Sequence, residues 1–298
     1  ILKHLLESPH QIIAVVTKPD QPQGRSLKLK PSSIKEWVQA HTPTTALYQP
    51  PKASADAFVA LMQSLSPDLF VVASYGEIMK TSLLNVPRLG SINVHASLLP
   101  KWRGAAPIQR SLMAGEQETG ITIMKMVLQL DAGDILAVAK VAVPVEMNHG
   151  ELEHALALAA KAPLLHVLSE LENGTIQATP QDASKVTFAF KITPAETIID
   201  WSRPAIDIHN QIRALSPDPG AWTMIEISGQ TKKLKIKRSS IMEHSSSTPR
   251  QTYFLTQKEW VIGCGENLLT LLDVQLEGKK TLSIADFLRG LHQKPRIL

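Results

Sequence analysis

Residues 91–109 read SINVHASLLPKWRGAAPIQ, a short apolar strand followed by a turn and a helix. Side chains alternate between the two faces of a strand, so Asn93 and His95 are predicted to point the same way, about 6–7 Å apart. A carboxamide beside an imidazole at a strand end can hold a carbonyl oxygen as it becomes an oxyanion. The stretch therefore predicts both a buried strand and a catalytic site at its end.

Buried strands alternate with helical patterns through the first half of the chain. Continuous apolar runs, typical of strands covered on both faces, occur at 11–16, 69–73 and 91–95. Helical patterns occur at 33–39, 53–65, 105–114 and 151–171, the last closed by Asn173 and Gly174, and Ser33 with Glu36 reads as a capping box. This alternation predicts a Rossmann-like, mostly parallel α/β sheet, whose ligands bind at the carboxyl ends of strands. His95 stands at one such end.

From about residue 187 the pattern changes to short β segments separated by turn signals. Regularly spaced short strands are typical of a small β-barrel, here OB-like and of roughly a hundred residues. We therefore divide the chain into an α/β catalytic domain at 1–188, a linker at 189–204 and a β-barrel domain at 205–298.

Composition narrows the classes of partner. The 298 residues include a single cysteine and carry a formal net charge of +4. An intrachain disulfide is therefore excluded, no zinc-type Cys/His spacing occurs, and no apolar run reaches the roughly 18 residues of a membrane span. We expect no metal, no membrane partner and a reducing cytoplasm. Basic segments at 18–35 and 232–238 indicate either solvated faces or a polyanionic partner.

A third candidate catalytic residue, Asp131, lies in the sequence LDAGD at 130–134. A carboxylate there could orient His95 and raise its proton affinity, or accept a proton through water. Asp and Gly are also ordinary turn residues, so the same sequence is typical of a turn without chemistry. Taken as a set, Asn93, His95 and Asp131 favour catalysis.

The run NVHASLLPKWRGAAPIQ, with LDAGD following it, resembles the folate-dependent formyltransferases, and within them the methionyl-tRNA formyltransferase family. Three further stretches carry the similarity, which covers essentially the whole chain: TKPDQPQGRSLKLKPSSIK at 17–35, IRALSPDPGAW at 212–222 and GKKTLSIADFLRG at 278–290. The resemblance implies transfer of a formyl group from 10-formyltetrahydrofolate to the α-amine of methionine carried by initiator tRNA.

The resemblance also implies roles for particular residues. Asn93 and His95 would stabilise the oxyanion of the tetrahedral intermediate, and Asp131 would support His95 and relay a proton. The folate site would be lined by Ser97, Leu98, Leu99, Pro100, Ile78 and Met79. The tRNA would be contacted by Arg25, Lys28 and Lys30 in the loop 18–31, and by Lys235 and Lys237 in the barrel.

The chain begins at Ile1, without an initiator methionine, in what reads as the second half of a helix. We therefore expect a strand and turn to precede Ile1, and a bacterial cytoplasmic monomer, with an organellar origin left open. Two alternatives remain at this level. One is a related formyltransferase acting on a nucleotide-linked amino sugar, and the other is an RNA-binding protein without catalysis.

Arg25 is the residue of the loop 18–31 that we expect to enter the acceptor stem of the tRNA. Arg25→Ala removes a cation that would meet phosphates or base edges, so productive use of charged tRNA should fall while folate binding is unchanged. Kinetics with varied tRNA, beside a separate folate titration, check this. Weaker folate binding would show instead that the loop serves the other substrate.

Overall fold

The structure is a computed structural model that describes residues 1–23, 28–244, 247–254, 256 and 258–298. The predicted fold class is confirmed: an α/β part with parallel strand pairs is followed by an antiparallel barrel. The chain forms two compact units. Their segments are Ile1–Arg103, Gly120–Lys140 and Ala157–Thr187 in unit 1, and Gly104–Thr119, Val141–Leu156 and Phe188–Leu298 in unit 2. The division at 188 and 205 stays a prediction.

The chain up to residue 189 alternates strands and helices. Its strands are β1 (Ala14–Val16), β2 (Gln21–Gln23), β3 (Lys28–Lys30), β4 (Ala46–Tyr48), β5 (Phe70–Val72), β6 (Ser91–His95), β7 (Arg103–Gly104), β8 (Glu118–Lys125), β9 (Ile135–Ala142) and β10 (Phe188–Ala189). Its α-helices are α1 (Leu2–Leu6), α2 (Ser33–His41), α3 (Asp56–Leu65), α4 (Thr81–Leu84), α5 (Pro107–Met113), α6 (His149–Ala159) and α7 (Lys161–Asn173).

The sheet that carries the candidate site has the strand order β5-β6-β8-β9. Strands β5 and β6 pair in parallel, with Val72 opposite Asn93. Strand β8 runs antiparallel to β6 and places Thr122 opposite His95. A second parallel pair, β1 with β4, lies apart from this sheet. The interior of β8 is buried from Thr119 to Met124, as expected of a strand covered on both faces.

The prediction of a single helix over 151–171 is wrong, because the chain forms α6 and α7 with Ala160 between them. Pro163 explains the break. Its nitrogen carries no hydrogen, so a continuous helix would leave the carbonyl of Ala159 without a donor and would clash with the ring. In the first turn of α7 a proline costs little. The predicted end at Gly174 is confirmed, and Gly174 is left-handed there with φ +69°.

The start of α2 lies one residue earlier than the capping box at Ser33 and Glu36 would place it. Ser32 is the N-cap residue, and its hydroxyl accepts a hydrogen bond from the backbone N–H of Lys35 at 3.2 Å. Two adjacent serines offer equivalent caps, and Ser32 is the one in an extended conformation.

The C-terminal part forms one antiparallel sheet with α8 packed against it. Its elements are α8 (Ala205–Leu215), β11 (Ala221–Ile227), β12 (Gln230–Met242), β13 (Thr252–Tyr253), β14 (Trp260–Gly263), β15 (Leu268–Leu276), β16 (Leu282–Ser283), α9 (Ile284–Arg289) and β17 (Arg296–Ile297). The strand order is β13-β14-β15-β12-β11-β17, with β16 beside β15. Trp201, Ile208 and Trp260 are fully buried in its core.

Leu164 on α7 is completely buried, whereas Leu158 on α6 is 58% exposed. Leu164→Ala should lower the free energy of unfolding by about 2–5 kcal/mol, because it removes buried apolar surface and leaves a cavity. Urea denaturation of both variants measures this. Leu158→Ala is the control and should change stability little. Equal losses in the two variants would contradict the packing described for α7.

Candidate active site

Strand β6 brings the two predicted site residues to one face. Nδ2 of Asn93 donates to Oδ1 of Asp131 at 3.4 Å, and Nδ1 of His95 lies 3.7 Å from Oδ2 of the same carboxylate. The alternation of side chains along β6 accounts for this, because residues two apart share a face. Asn93 and His95 therefore meet at the carboxylate of Asp131, which lies 38 positions after Asn93 in the sequence.

His95 is held by a hydrogen bond at Nε2, and its Nδ1 faces Asp131. Its Nε2 lies 2.9 Å from the backbone oxygen of Trp102. A carbonyl oxygen only accepts, so Nε2 carries the hydrogen and, in the neutral ring, Nδ1 presents its lone pair towards Asp131. The side chain is 5% exposed, and this burial lowers the pKa of His95 below its ordinary value. Asp131 and the Trp102 hydrogen bond oppose that shift without overcoming it.

The loop that carries Asp131 has little conformational freedom. Asp131 itself adopts a left-handed backbone with φ +46°, which is uncommon for a residue with a side chain. The N–H of Lys125 donates to the carbonyl of Asp134 at 2.9 Å and closes the base of the loop. A Cβ at Gly133 would lie 1.8 Å from the carbonyl oxygen of Lys125, so only glycine permits this approach.

Sequence reasoning missed the amide that ties this loop in place. Nε2 of Gln181 donates to the carbonyl oxygens of Asp131 and Gly133 at 2.9 and 2.7 Å. Its Oε1 accepts from Nε and Nη2 of Arg103 at 3.0 and 2.7 Å. Arg103 belongs to the WRGAAPIQ motif, whereas Gln181 lies in a stretch with no periodicity that would single it out.

The turn after β6 is stabilised by two hydroxyl groups. Oγ1 of Thr122 donates to the carbonyl of Ser97 at 2.7 Å and accepts from the N–H of Leu99 at 3.1 Å. Oγ of Ser97 donates to the carbonyl of Lys101 at 2.6 Å. Ser97 and Leu99 are buried, while Leu98 and Pro100 are half-buried. Within the predicted folate stretch, Ser97 and Leu99 therefore shape the turn, and the other two present surface.

The two other residues predicted to line the folate site have opposite environments. Ile78 is 74% exposed, which is unusual for a large apolar side chain. Met79 is 8% exposed and packs in the core cluster with Val59, Met62 and Leu83. Only Ile78 of this pair offers an apolar side chain to a ligand.

The predicted tRNA contacts fall in two places. Arg25 lies outside the described residues, and Lys28 and Lys30 belong to β3, which pairs antiparallel with β2. Lys30 is exposed. In the barrel, Nζ of Lys235 donates to the carbonyl of Pro219 at 2.6 Å, and Nζ of Lys237 donates to that of Pro217. Burial, the largest influence, and the neighbouring Lys235 lower the pKa of Lys237.

Two further features of the described residues bear on partners. The described residues contain no group of three or more His, Cys, Asp or Glu side chains placed to bind a metal ion. None of the helices they form combines the length and the apolar character required to cross a bilayer.

Two family models match the chain in succession. The model described as formyl transferase matches residues 1–168, and the model described as formyl transferase, C-terminal domain, matches residues 191–292. The chain therefore belongs to the formyl transferase family.

Curated relatives define the branch of that family. A methionyl-tRNA formyltransferase of Protochlamydia amoebophila is 41% identical over 292 residues, covering 98% of this chain and 91% of the relative. A methionyl-tRNA formyltransferase of Symbiobacterium thermophilum is also 41% identical over 292 residues, covering 97% of this chain and 88% of the relative. The predicted branch, the methionyl-tRNA formyltransferases, and the expected use of formyl-tetrahydrofolate are confirmed.

A solved structure shares the fold at much lower identity. HypX from Aquifex aeolicus, in complex with tetrahydrofolic acid, superposes with a TM-score of 0.63 at 15% identity. The match covers 94% of this chain and 48% of that longer chain. At this identity the similarity shows the fold alone.

The environment of His95 predicts a neutral imidazole at neutral pH, with its hydrogen on Nε2. In NMR titrations its pKa should lie below about 6.5, the ordinary value for histidine. Asp131→Asn removes the carboxylate that opposes the effect of burial, so the pKa should fall further. The signal of exposed His166 serves as an internal reference. A rise on substitution would contradict the geometry.

Proposed function

We propose that Asn93, His95 and Asp131 catalyse transfer of the formyl group of 10-formyltetrahydrofolate to the α-amine of methionyl initiator tRNA. The observation that carries the assignment is the convergence of Asn93 and His95 on the Asp131 carboxylate at a strand end. Family membership supplies the two substrates. The trio supplies a donor, a base and a fixed negative charge.

The neutral form of His95 suits it to accept a proton. As the amine nitrogen bonds to the formyl carbon, it must lose a proton, and Nδ1 of His95 is the free acceptor because Nε2–H is bound to the Trp102 carbonyl. The resulting imidazolium is stabilised by Asp131 at 3.7 Å and by Trp102. The new Nδ1–H can donate to the oxyanion and then pass its proton to the folate nitrogen as the carbon–nitrogen bond to it breaks.

Asn93 complements this base as a hydrogen-bond donor. Its carboxamide has two N–H hydrogens, and the bond to Asp131 at 3.4 Å uses one of them. The second is available for the oxyanion that forms when the amine attacks. Because Asp131 fixes the orientation of the amide, that donor is in place before charge develops, which is the arrangement that gives electrostatic catalysis its largest effect.

The contact surface for the formyl donor is proposed from exposure, and the contacts to tRNA are proposed from charge. Leu98, Pro100 and exposed Ile78 offer apolar contact to the formyl donor. Arg25, Lys28 and Lys30 are the proposed contacts to tRNA phosphates. Each of Lys235 and Lys237 uses one N–H of its ammonium group on a loop carbonyl, which leaves the other hydrogens of the group for a phosphate. A bacterial cytoplasmic setting and a monomeric state complete the proposal.

Asn93→Ala should lower kcat for formylation of charged initiator tRNA by on the order of 10²–10³-fold, the usual effect of removing one oxyanion donor. Binding of tRNA should be unchanged. A discontinuous formylation assay with purified protein measures both variants. The matched control is Asn173→Ala, which removes an exposed asparagine at the end of α7 and should retain full activity.

The same assay distinguishes the proposal from its alternatives. Wild-type protein is supplied with formyl donor and either charged initiator tRNA or a nucleotide-linked amino sugar. Turnover of the amino sugar without turnover of tRNA would establish the alternative substrate. Binding of tRNA with no transfer to either acceptor would establish an RNA-binding role alone.

A further inference from the structure

Gln181 uses its whole side-chain amide to join two parts of unit 1. Both hydrogens of its NH₂ group are donated, to the carbonyls of Asp131 and Gly133 at 2.9 and 2.7 Å. Its Oε1 receives two hydrogen bonds from the guanidinium of Arg103 at 3.0 and 2.7 Å. Two donors and two acceptor positions are all that a carboxamide has, so the group is fully satisfied.

One end of this link holds the backbone of the Asp131 loop. Asp131 has φ +46°, a left-handed conformation that persists in a residue with a side chain only when its surroundings impose it. Gln181 donates hydrogen bonds to the carbonyls of Asp131 and Gly133, so it fixes the loop on both sides of Ala132. The direction in which the Asp131 carboxylate leaves the backbone depends on this conformation.

The other end of the link lies beside the anchor of His95. Arg103 directly follows Trp102, whose carbonyl accepts the hydrogen bond from Nε2 of His95. Thr187 fixes both residues, since its Oγ1 accepts from the N–H of Trp102 and its carbonyl accepts from the N–H of Arg103, each at 2.9 Å. The 102–103 segment thus anchors His95 directly and, through Gln181, the loop of Asp131.

We propose that Gln181 is a positioning residue that sets the separation between the Asp131 carboxylate and His95. It contacts neither group's reacting atoms and acts through the backbone of the Asp131 loop. Arg103 is its partner, because the two guanidinium bonds orient the amide so that its NH₂ group faces the loop. The inference rests on the catalytic roles proposed above for His95 and Asp131.

Gln181→Ala and Gln181→Glu test this assignment. Both substitutions should lower kcat on the order of tenfold to a hundredfold and leave KM for tRNA and folate unchanged. The reason is that each displaces Asp131 relative to His95 without changing the surfaces that bind the substrates. Glutamate keeps the acceptors for Arg103 and loses the two donors. Gln177→Ala is the matched control, since Gln177 is exposed and its side-chain bond within the described residues is to Thr175 in its own segment. Wild-type kcat in Gln181→Glu would overturn the proposal.

A double-mutant cycle separates this inference from the proposed function. If Gln181 acts through Asp131, Gln181→Ala should have no further effect on the residual kcat of Asp131→Ala. Independent, multiplicative losses would overturn the positioning role. Full activity of Asp131→Ala would instead refute the catalytic role of Asp131. Circular dichroism and thermal melting of each variant verify that the chain is folded, so a loss of kcat is read only from folded protein.

Discussion

The carboxylate of Asp131 is the group on which the candidate site depends, because the side chains of Asn93 and His95 both approach it. Neither side chain contacts the other in the described hydrogen bonds. Their mutual geometry is set by the regular two-residue spacing along β6 and by the position of a loop far away in sequence. A rigid strand therefore supplies two groups, and a tightly fixed loop supplies the third.

Burial gives this arrangement its chemical character. His95 is withdrawn from water, so its charged form is disfavoured even with a carboxylate close by. The same environment makes the field of Asp131 stronger when His95 does gain a proton. The buried position of His95 therefore has two consequences. The imidazole is neutral before the reaction, and it forms a charge pair with Asp131 when it gains a proton. Small displacements of the loop would change both together.

The sequence predicted the fold class and the faces of the strands because periodicity records burial directly. Ser91–His95 is a strand with the predicted bounds, and the short β segments predicted after residue 187 are present in the antiparallel sheet. The α6–α7 break was missed because Pro163 acts on a carbonyl four residues away, which a hydrophobic pattern does not show. Gln181 was missed for a related reason, since its role depends on long-range hydrogen bonds that carry no periodic signal.

The barrel lysines show that a basic side chain can bond within the fold and still contribute its charge to the surface. The ammonium groups of Lys235 and Lys237 rest on carbonyl oxygens of the 216–220 turn, and Lys237 is largely buried. Held in this way, the two cations still contribute to the long-range potential around the protein. This potential raises the rate at which a polyanion approaches. At near-physiological salt it is screened beyond a Debye length of about 8–10 Å, and higher ionic strength weakens it further. Basic side chains of this chain can therefore speed the encounter with a polyanion before any of them contacts it.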